Sequence, residues 1–120
     1  MTTMASDNYT FDFDVEDFQE KVLQVSEDKP VLVDFWADWC GPCRFLDPVL
    51  KEVLAGYGGS VVLAKIEVDE GENMKLAGQY QVRGFPTVLL FRHGEEQARF
   101  SSARSTSYVT EFIENNADFS

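Results

Sequence analysis

Apolar side chains fall along this chain in two kinds of run, and each implies its own local structure. Val31-Leu32-Val33-Asp34-Phe35-Trp36-Ala37 is too continuously apolar for a sheet with one wet face, so it predicts a central strand covered on both sides. Val61 to Val68 predicts a second buried strand and Thr87 to Phe91 a third. Tyr9-Thr10-Phe11-Asp12-Phe13 alternates apolar with polar, the pattern of a short half-exposed strand. Helical spacing takes over elsewhere. Asp14 caps an expected helix over Glu16 to Val25 with Phe18, Val22 and Val25 on its apolar side. A second helix runs from Pro42 to about Tyr57, carries Pro48 in its interior and is stopped by Gly56, Gly58 and Gly59. Asn73 to Tyr80 makes a short third helix, and Ser105 to Asn116 closes the chain with Tyr108, Val109, Phe112 and Ile113 on one side. His93-Gly94 reads as a tight turn from the third strand into Glu96 to Ser101, an antiparallel hairpin.

Strands alternating with helices, then a hairpin and a last helix, place the chain in the α/β class: a central mixed β-sheet flanked by helices on both faces. Its 120 residues suffice for one domain with a core that needs no staples. The expected division is a flexible lead-in at 1–8 and a single domain at 9–118. Met1 to Asp14 has neither a basic nor an apolar signal-like region, and no run approaches a membrane-spanning length. A cytoplasmic, reducing setting is therefore the expectation, although a mature chain with its signal removed has the same appearance. The net charge of -11 argues against nucleic acid or an anionic membrane surface as partner. Solubility accounts for most of it.

The only two cysteines stand three apart in Trp39-Cys40-Gly41-Pro42-Cys43, directly after the central strand. A helix starting at Gly41 or Pro42 puts both sulfurs on one face, with Cα separations that a disulfide tolerates, so the pair can open and close without refolding. Pro42 suits the first turn, where no backbone donor is needed, and the unsatisfied N–H groups there favour a thiolate on Cys40. Cys40 becomes the attacking sulfur. Two blander readings fare worse. A staple across so short a loop gains little. A structural zinc site wants four ligands, whereas the chain has no further Cys and one His, His93, which reads as an exposed turn residue.

Asp34 shares its strand face with Leu32 and Trp36, so a carboxylate sits where an apolar side chain belongs. Incomplete pairing there costs energy and raises its pKa, making it a candidate proton carrier near neutrality. Lys65 holds the comparable place on the next strand and is its candidate partner; an ordinary buried ion pair is the competing reading. Arg83-Gly84-Phe85-Pro86-Thr87 precedes the third strand, and whether the Phe85-Pro86 bond is cis is open at this level.

Val31 to Cys43, together with Val82-Arg83-Gly84-Phe85-Pro86-Thr87, resembles the thioredoxin family, and the likeness covers nearly the whole chain. It implies the thioredoxin fold, with Asp34 as the buried aspartate, Lys65 as its partner, Pro86 as the cis-proline against the sulfurs and Pro48 as a helix kink. It also implies a protein-disulfide reductase that works through a Cys40–Cys43 dithiol-disulfide cycle, with no bound cofactor or metal. Cys40 attacks a substrate disulfide; Cys43, deprotonated with help from Asp34, then attacks Cys40. Trp39, Gly41, Pro42, Gly84 and Phe85 would form a shallow apolar surface around the sulfur, with Phe85 and Pro86 backbone holding an extended segment. Core packing is the other reading of Trp39. Expected partners are protein disulfides and an NADPH-dependent thioredoxin reductase, and the expected state is a monomer.

Four departures stand out, one of them a lead-in from Asn8 through Tyr9 to Asp14 that is longer and more acidic than the minimal domain needs. Arg44 replaces a lysine, Asp47 adds a carboxylate one turn after Cys43, and Ser101-Ser102 stand where the family usually has glycine. Ser102 is the candidate to narrow the substrate groove, with Ser101 as the alternative alignment. The rival function is a chaperone-like binding protein with a thioredoxin domain and little reductase activity. A disulfide oxidase is a weaker rival, because Gly41-Pro42 between the cysteines points toward reduction.

Overall fold

The sheet grows outward from the central strand. In the computed structural model, which describes residues 9–119, five strands run as β1 (Thr10–Asp12), β2 (Val31–Trp36), β3 (Val62–Glu67), β4 (Thr87–Arg92) and β5 (Glu95–Ser101) in the spatial order β1-β3-β2-β4-β5. The expected lead-in at 1–8 lies outside the described residues. β2 pairs parallel with β3 and antiparallel with β4, while β1 joins β3 in parallel and β5 joins β4 antiparallel. Val31, Leu32, Val33 and Phe35 are fully buried, as the continuous apolar run requires of a strand covered on both faces.

Three α-helices connect and cover the strands: α1 (Gly41–Ala55), α2 (Met74–Gln79) and α3 (Thr106–Asn116). In α1 the buried stripe is Cys43, Leu46, Leu50, Val53 and Leu54, with Pro48 off it in the helix interior. The helix stops at Ala55; Gly58 and Gly59 then take positive φ of 58° and 97°, which turn the chain toward β3. Ser105 caps α3 by accepting the Tyr108 N–H, and Val109, Phe112 and Ile113 face inward against α1 and the sheet. Tyr108 stays at the rim, its ring edge-on to Phe100. On the other face Phe18, Tyr80 and Phe91 meet as a cluster of edge-to-face rings. The hairpin turn His93-Gly94 has φ of 57° and 79°, the left-handed pair that matches the twist of two-residue hairpins.

The segment after β1 departs from the sequence expectation. In place of a regular helix over Glu16 to Val25, it is a 3-10 turn (Val15–Asp17), a π-helical turn (Gln19–Leu23) and another 3-10 turn (Val25–Glu27). Its buried residues are Phe18, Val22 and Ser26, spaced by four, and the wider winding keeps that spacing on one line. Val25 is only partly buried because Ser26 takes the inward position, donating to Leu23 O and accepting from Gly94 N. Asp14 does not cap the segment. Asn73 does so from a distance: its Oδ1 accepts the Val15 N–H at 2.7 Å, and its Nδ2 donates to Asp14 Oδ1 and Glu67 O.

Asn73 is 1% exposed and its three hydrogen bonds are partly buried, so their loss would leave the Val15 N–H and the Glu67 carbonyl poorly satisfied. Asn73→Ala is expected to lower unfolding stability by about 2–4 kcal/mol in urea titrations, while the reduction rate of a small disulfide reagent stays unchanged. A loss below about 0.5 kcal/mol would show that water replaces the clamp.

Candidate active site

Cys40 ends the loop leaving β2 and caps α1 with its own sulfur. Its backbone is extended (φ -91°, ψ 107°), and Sγ accepts the Cys43 N–H at 3.2 Å. Pro42 lies in the first turn, where its missing donor costs nothing. Cys40 and Cys43 are joined as a disulfide with Cα atoms 5.3 Å apart, within the range their spacing anticipates. The unpaired N–H groups of the first turn gather at Cys40, so negative charge is favoured on that sulfur.

Exposure does not separate the two cysteines. Both residues are 4% exposed in the oxidised pair. Joined as a disulfide, both residues belong to the core cluster. The cap hydrogen bond distinguishes Cys40.

Trp39 lies outside the core, 66% exposed, which removes its core-packing reading. Its Nε1–H donates to Asp69 Oδ2 at 2.7 Å, and its ring is edge-on to the half-buried Phe85 at 6.1 Å. Gly41, Pro42 and Gly84 are exposed, and a Cβ built on either glycine would meet nothing within 4 Å. Pro86 is buried, and the Phe85–Pro86 bond is cis, which the spacing left open. Thr87 Oγ1 donates to Gly84 O at 2.6 Å and pins this loop. Ser102 N–H donates to Pro86 O at 3.0 Å from beyond the end of β5. Of the two serines, Ser102 is the one at a positive φ, 76°, the backbone state that favours glycine; Ser101 is ordinary strand. Pro86 has no N–H, and its carbonyl accepts Ser102 with one of its two lone pairs.

Phe45 is a surface residue that the sequence reading missed. It is 76% exposed and one helical turn beyond Gly41, hence beside it on the surface of α1. The available signal was its position off the stripe formed by Cys43, Leu46 and Leu50. Arg44 is fixed by a hydrogen bond from Nη2 to Asp38 O at 2.6 Å.

Asp34 lies inside, 2% exposed, with Val88 on β4 and Lys65 on β3 as its register partners. Residues directly opposite in a sheet project to the same side, so all three share one face. Its Oδ1 has no hydrogen-bond partner among the described residues. Burial pushes the carboxyl pKa up to about 7; the Lys65 charge pulls it down, and the Asp47 charge pushes it up. The expected direct pair with Lys65 does not form. Lys65 Nζ instead bonds Asp47 Oδ1 on α1 and sits 5.0 Å from the centre of the Trp36 ring. The other Asp47 oxygen meets Lys51 Nζ at 3.0 Å. Partial burial acts to raise the Asp47 pKa, but Lys65 and then Lys51 outweigh it and hold the carboxyl below the usual range. The Asp47 side chain is 27% exposed, so it holds an ammonium with less loss of hydration than Asp34 would suffer. Asp47 is therefore not the free charge near the thiols that its sequence position suggested.

Among the described residues no group of three or more His, Cys, Asp or Glu side chains could hold a metal ion. His93 sits in its turn beside Glu27 and Asp118.

The family model for thioredoxin matches residues 10–115. A probable thioredoxin-2 of Caenorhabditis elegans is 48% identical over 106 residues, covering 88% of this chain and 70% of that protein. A thioredoxin of Allochromatium vinosum is 44% identical over 101 residues, 84% of this chain and 91% of its own length. One from Acidithiobacillus ferridurans is 42% identical over 100 residues, 83% and 89% respectively. The matched span runs from β1 almost to the end of α3 and contains the Cys40–Cys43 disulfide at the start of α1, so the mixed sheet is the thioredoxin fold. With that match and that redox pair, the chain belongs to the thioredoxin family and is a thiol-disulfide oxidoreductase.

Proposed function

We propose that the chain is a general protein-disulfide reductase in which Cys40 attacks, Cys43 resolves and Asp34 takes the proton from Cys43. The observation that carries this reading is the Cys40 Sγ at the N-cap of α1, accepting the Cys43 N–H. The Cys40 thiolate attacks one sulfur of the substrate disulfide, forming a mixed disulfide and releasing the other as thiolate. Asp34 accepts the Cys43 proton, and the Cys43 thiolate attacks Cys40 Sγ. The Cys40–Cys43 bond forms, the mixed disulfide breaks, and the substrate leaves with two electrons and, after protonation, two thiols. Trp39, Gly41, Pro42, Gly84 and Phe85 frame the approach, with Phe85 and Pro86 backbone pairing to an extended substrate segment and Ser102 at its rim. Lys65 acts on Asp34 through its charge.

Return to the dithiol needs an electron donor, for which an NADPH-dependent thioredoxin reductase is the proposed partner, and the proposed setting is a monomer in the cytoplasm. Among the described residues no helix is long and apolar enough to cross a membrane. An insulin-type reduction assay tests the catalytic reading. Wild type should precipitate insulin chains catalytically and Cys40→Ser should fall to background; equal activity of the two would leave only a binding role.

The sulfur assignment sets the order of alkylation. In the reduced protein at mild pH, Cys40 is expected to take iodoacetamide first, because the Cys43 N–H and the helix terminus favour its thiolate. Peptide mapping that finds Cys43 labelled first would reverse the two roles.

For Asp34 the sign follows from its raised pKa. Between about pH 4 and 7 the folded chain binds a proton that the unfolded chain has lost, so this group's contribution to stability falls as pH rises. Removing the carboxyl should then help more at high pH. Asp34→Ala is expected to gain about 2–3 kcal/mol more stability at pH 8 than at pH 5, in urea titrations of the oxidised protein. The same variant should slow resolution of the mixed disulfide by roughly 10- to 100-fold. A pH-independent stability change with full turnover would make Asp34 a structural residue.

Ser102 holds a left-handed backbone that costs a side-chain-bearing residue about 1 kcal/mol. Ser102→Gly is expected to raise stability by about 0.5–1 kcal/mol and to speed turnover of protein disulfides, leaving a small disulfide reagent nearly unaffected. Equal effects on large and small substrates would remove Ser102 from the recognition surface.

A further inference from the structure

Lys65 faces a choice between two carboxylates. Asp34 is its register partner on β2, buried and with Oδ1 unpaired, while Asp47 reaches it from α1 and takes its ammonium. Asp47 is itself held on its outer oxygen by Lys51, one helical turn further on, so it is anchored where it intercepts Lys65. We propose that Asp47 is a positioning residue that withholds the Lys65 ammonium from Asp34, leaving the buried carboxyl unpaired and able to carry a proton.

The surroundings of Asp34 make this arrangement decisive. From β3 it faces Lys65, and from α1 the charge of Asp47 reaches it, with Lys51 on the other oxygen of Asp47. From β4 it faces Val88, and the inward residues of α3 are the apolar Val109, Phe112 and Ile113. Among the described residues, Lys65 is the one cation whose charge acts on Asp34. It is not wedged in place: with Trp36 it lines an open cleft of about 280 Å³ whose other walls include Asp12, Asp14, Glu67 and Glu70. Loss of Asp47 frees the ammonium to turn inward, and it also removes a negative charge that acts on Asp34 directly. Both changes favour the ionised carboxylate. Without its proton-holding capacity near neutrality, Asp34 becomes a weaker base for Cys43.

The inference rests on the reading of Asp34 as proton carrier, and the test separates the two. The Asp34 carboxyl carbon is titrated by NMR in the oxidised protein, where neither cysteine ionises, for wild type, Asp47→Ala, Lys65→Met and the double variant. Asp47→Ala is expected to lower the Asp34 midpoint by about one pH unit, and in the Lys65→Met background the drop should shrink to less than half. The acid limb of mixed-disulfide resolution should move down by the same interval in Asp47→Ala. An equal drop in both backgrounds would mean that Asp47 acts only as a charge, or that freed Lys65 turns to the acidic cleft; either overturns the proposal. So does an unmoved midpoint. If Asp34→Ala resolves as fast as wild type, the proton-carrier reading fails by itself, because the titration does not depend on turnover.

Discussion

The double pairing of β2 is the constraint on which the rest of the structure depends. With β3 parallel on one side and β4 antiparallel on the other, every residue along Val31–Phe35 is in register with both neighbouring strands, and both faces must be covered by helices. The chain leaves the C-terminal end of that central strand and turns through residues 37–40 into α1, so the start of α1 is held against a buried base. Cys40 and Cys43 are placed by this turn. The loop that carries Phe85 and Pro86 leads into β4, which pairs with the same strand, so the two sides of the site are positioned by one register.

That geometry also explains why the site combines an open rim with a dry floor. Trp39, Phe45, Gly41 and Gly84 meet water, while Asp34 lies on the covered face of the strand from which the site hangs. A carboxyl there lacks the hydration it would have at the rim, which is why burial is the largest influence on its pKa and the nearest charges only modify it. Stability is given up at this position for a group that can exchange a proton near neutrality. The network Lys51–Asp47–Lys65 joins α1 to β3 at the border between the two environments, where partial hydration makes ion pairing cheaper than it is around Asp34.

The first helical segment shows a similar division between local preference and packing. Its sequence has a cap candidate and an apolar side, yet the cap is supplied by Asn73, 58 residues away from Val15, and the winding follows the spacing of the buried Phe18, Val22 and Ser26 against β4. Arg92 closes the same region: buried at the end of β4, it donates to Ser26 O and Glu27 O at 2.8 Å and to Asp118 O at 2.5 Å. Backbone carbonyls left over by short, irregular turns are thus satisfied by side chains from distant strands.

The sequence alone was enough for the elements whose signals are local. Continuous apolar runs located β2 and β3, Ser105 and Gly58–Gly59 marked helix ends, His93-Gly94 marked the hairpin, and the spacing of Cys40 and Cys43 announced a reversible disulfide, because each depends on residues within a few positions of one another. Asp34 was legible as a buried carboxyl for the same reason. Its neighbours were not. Which carboxylate Lys65 would hold depends on where α1 lies over β3, and which serine would take the left-handed backbone depends on how β5 ends against Pro86. These are contacts between segments far apart in the chain, settled by competing desolvation and pairing energies that no local spacing encodes.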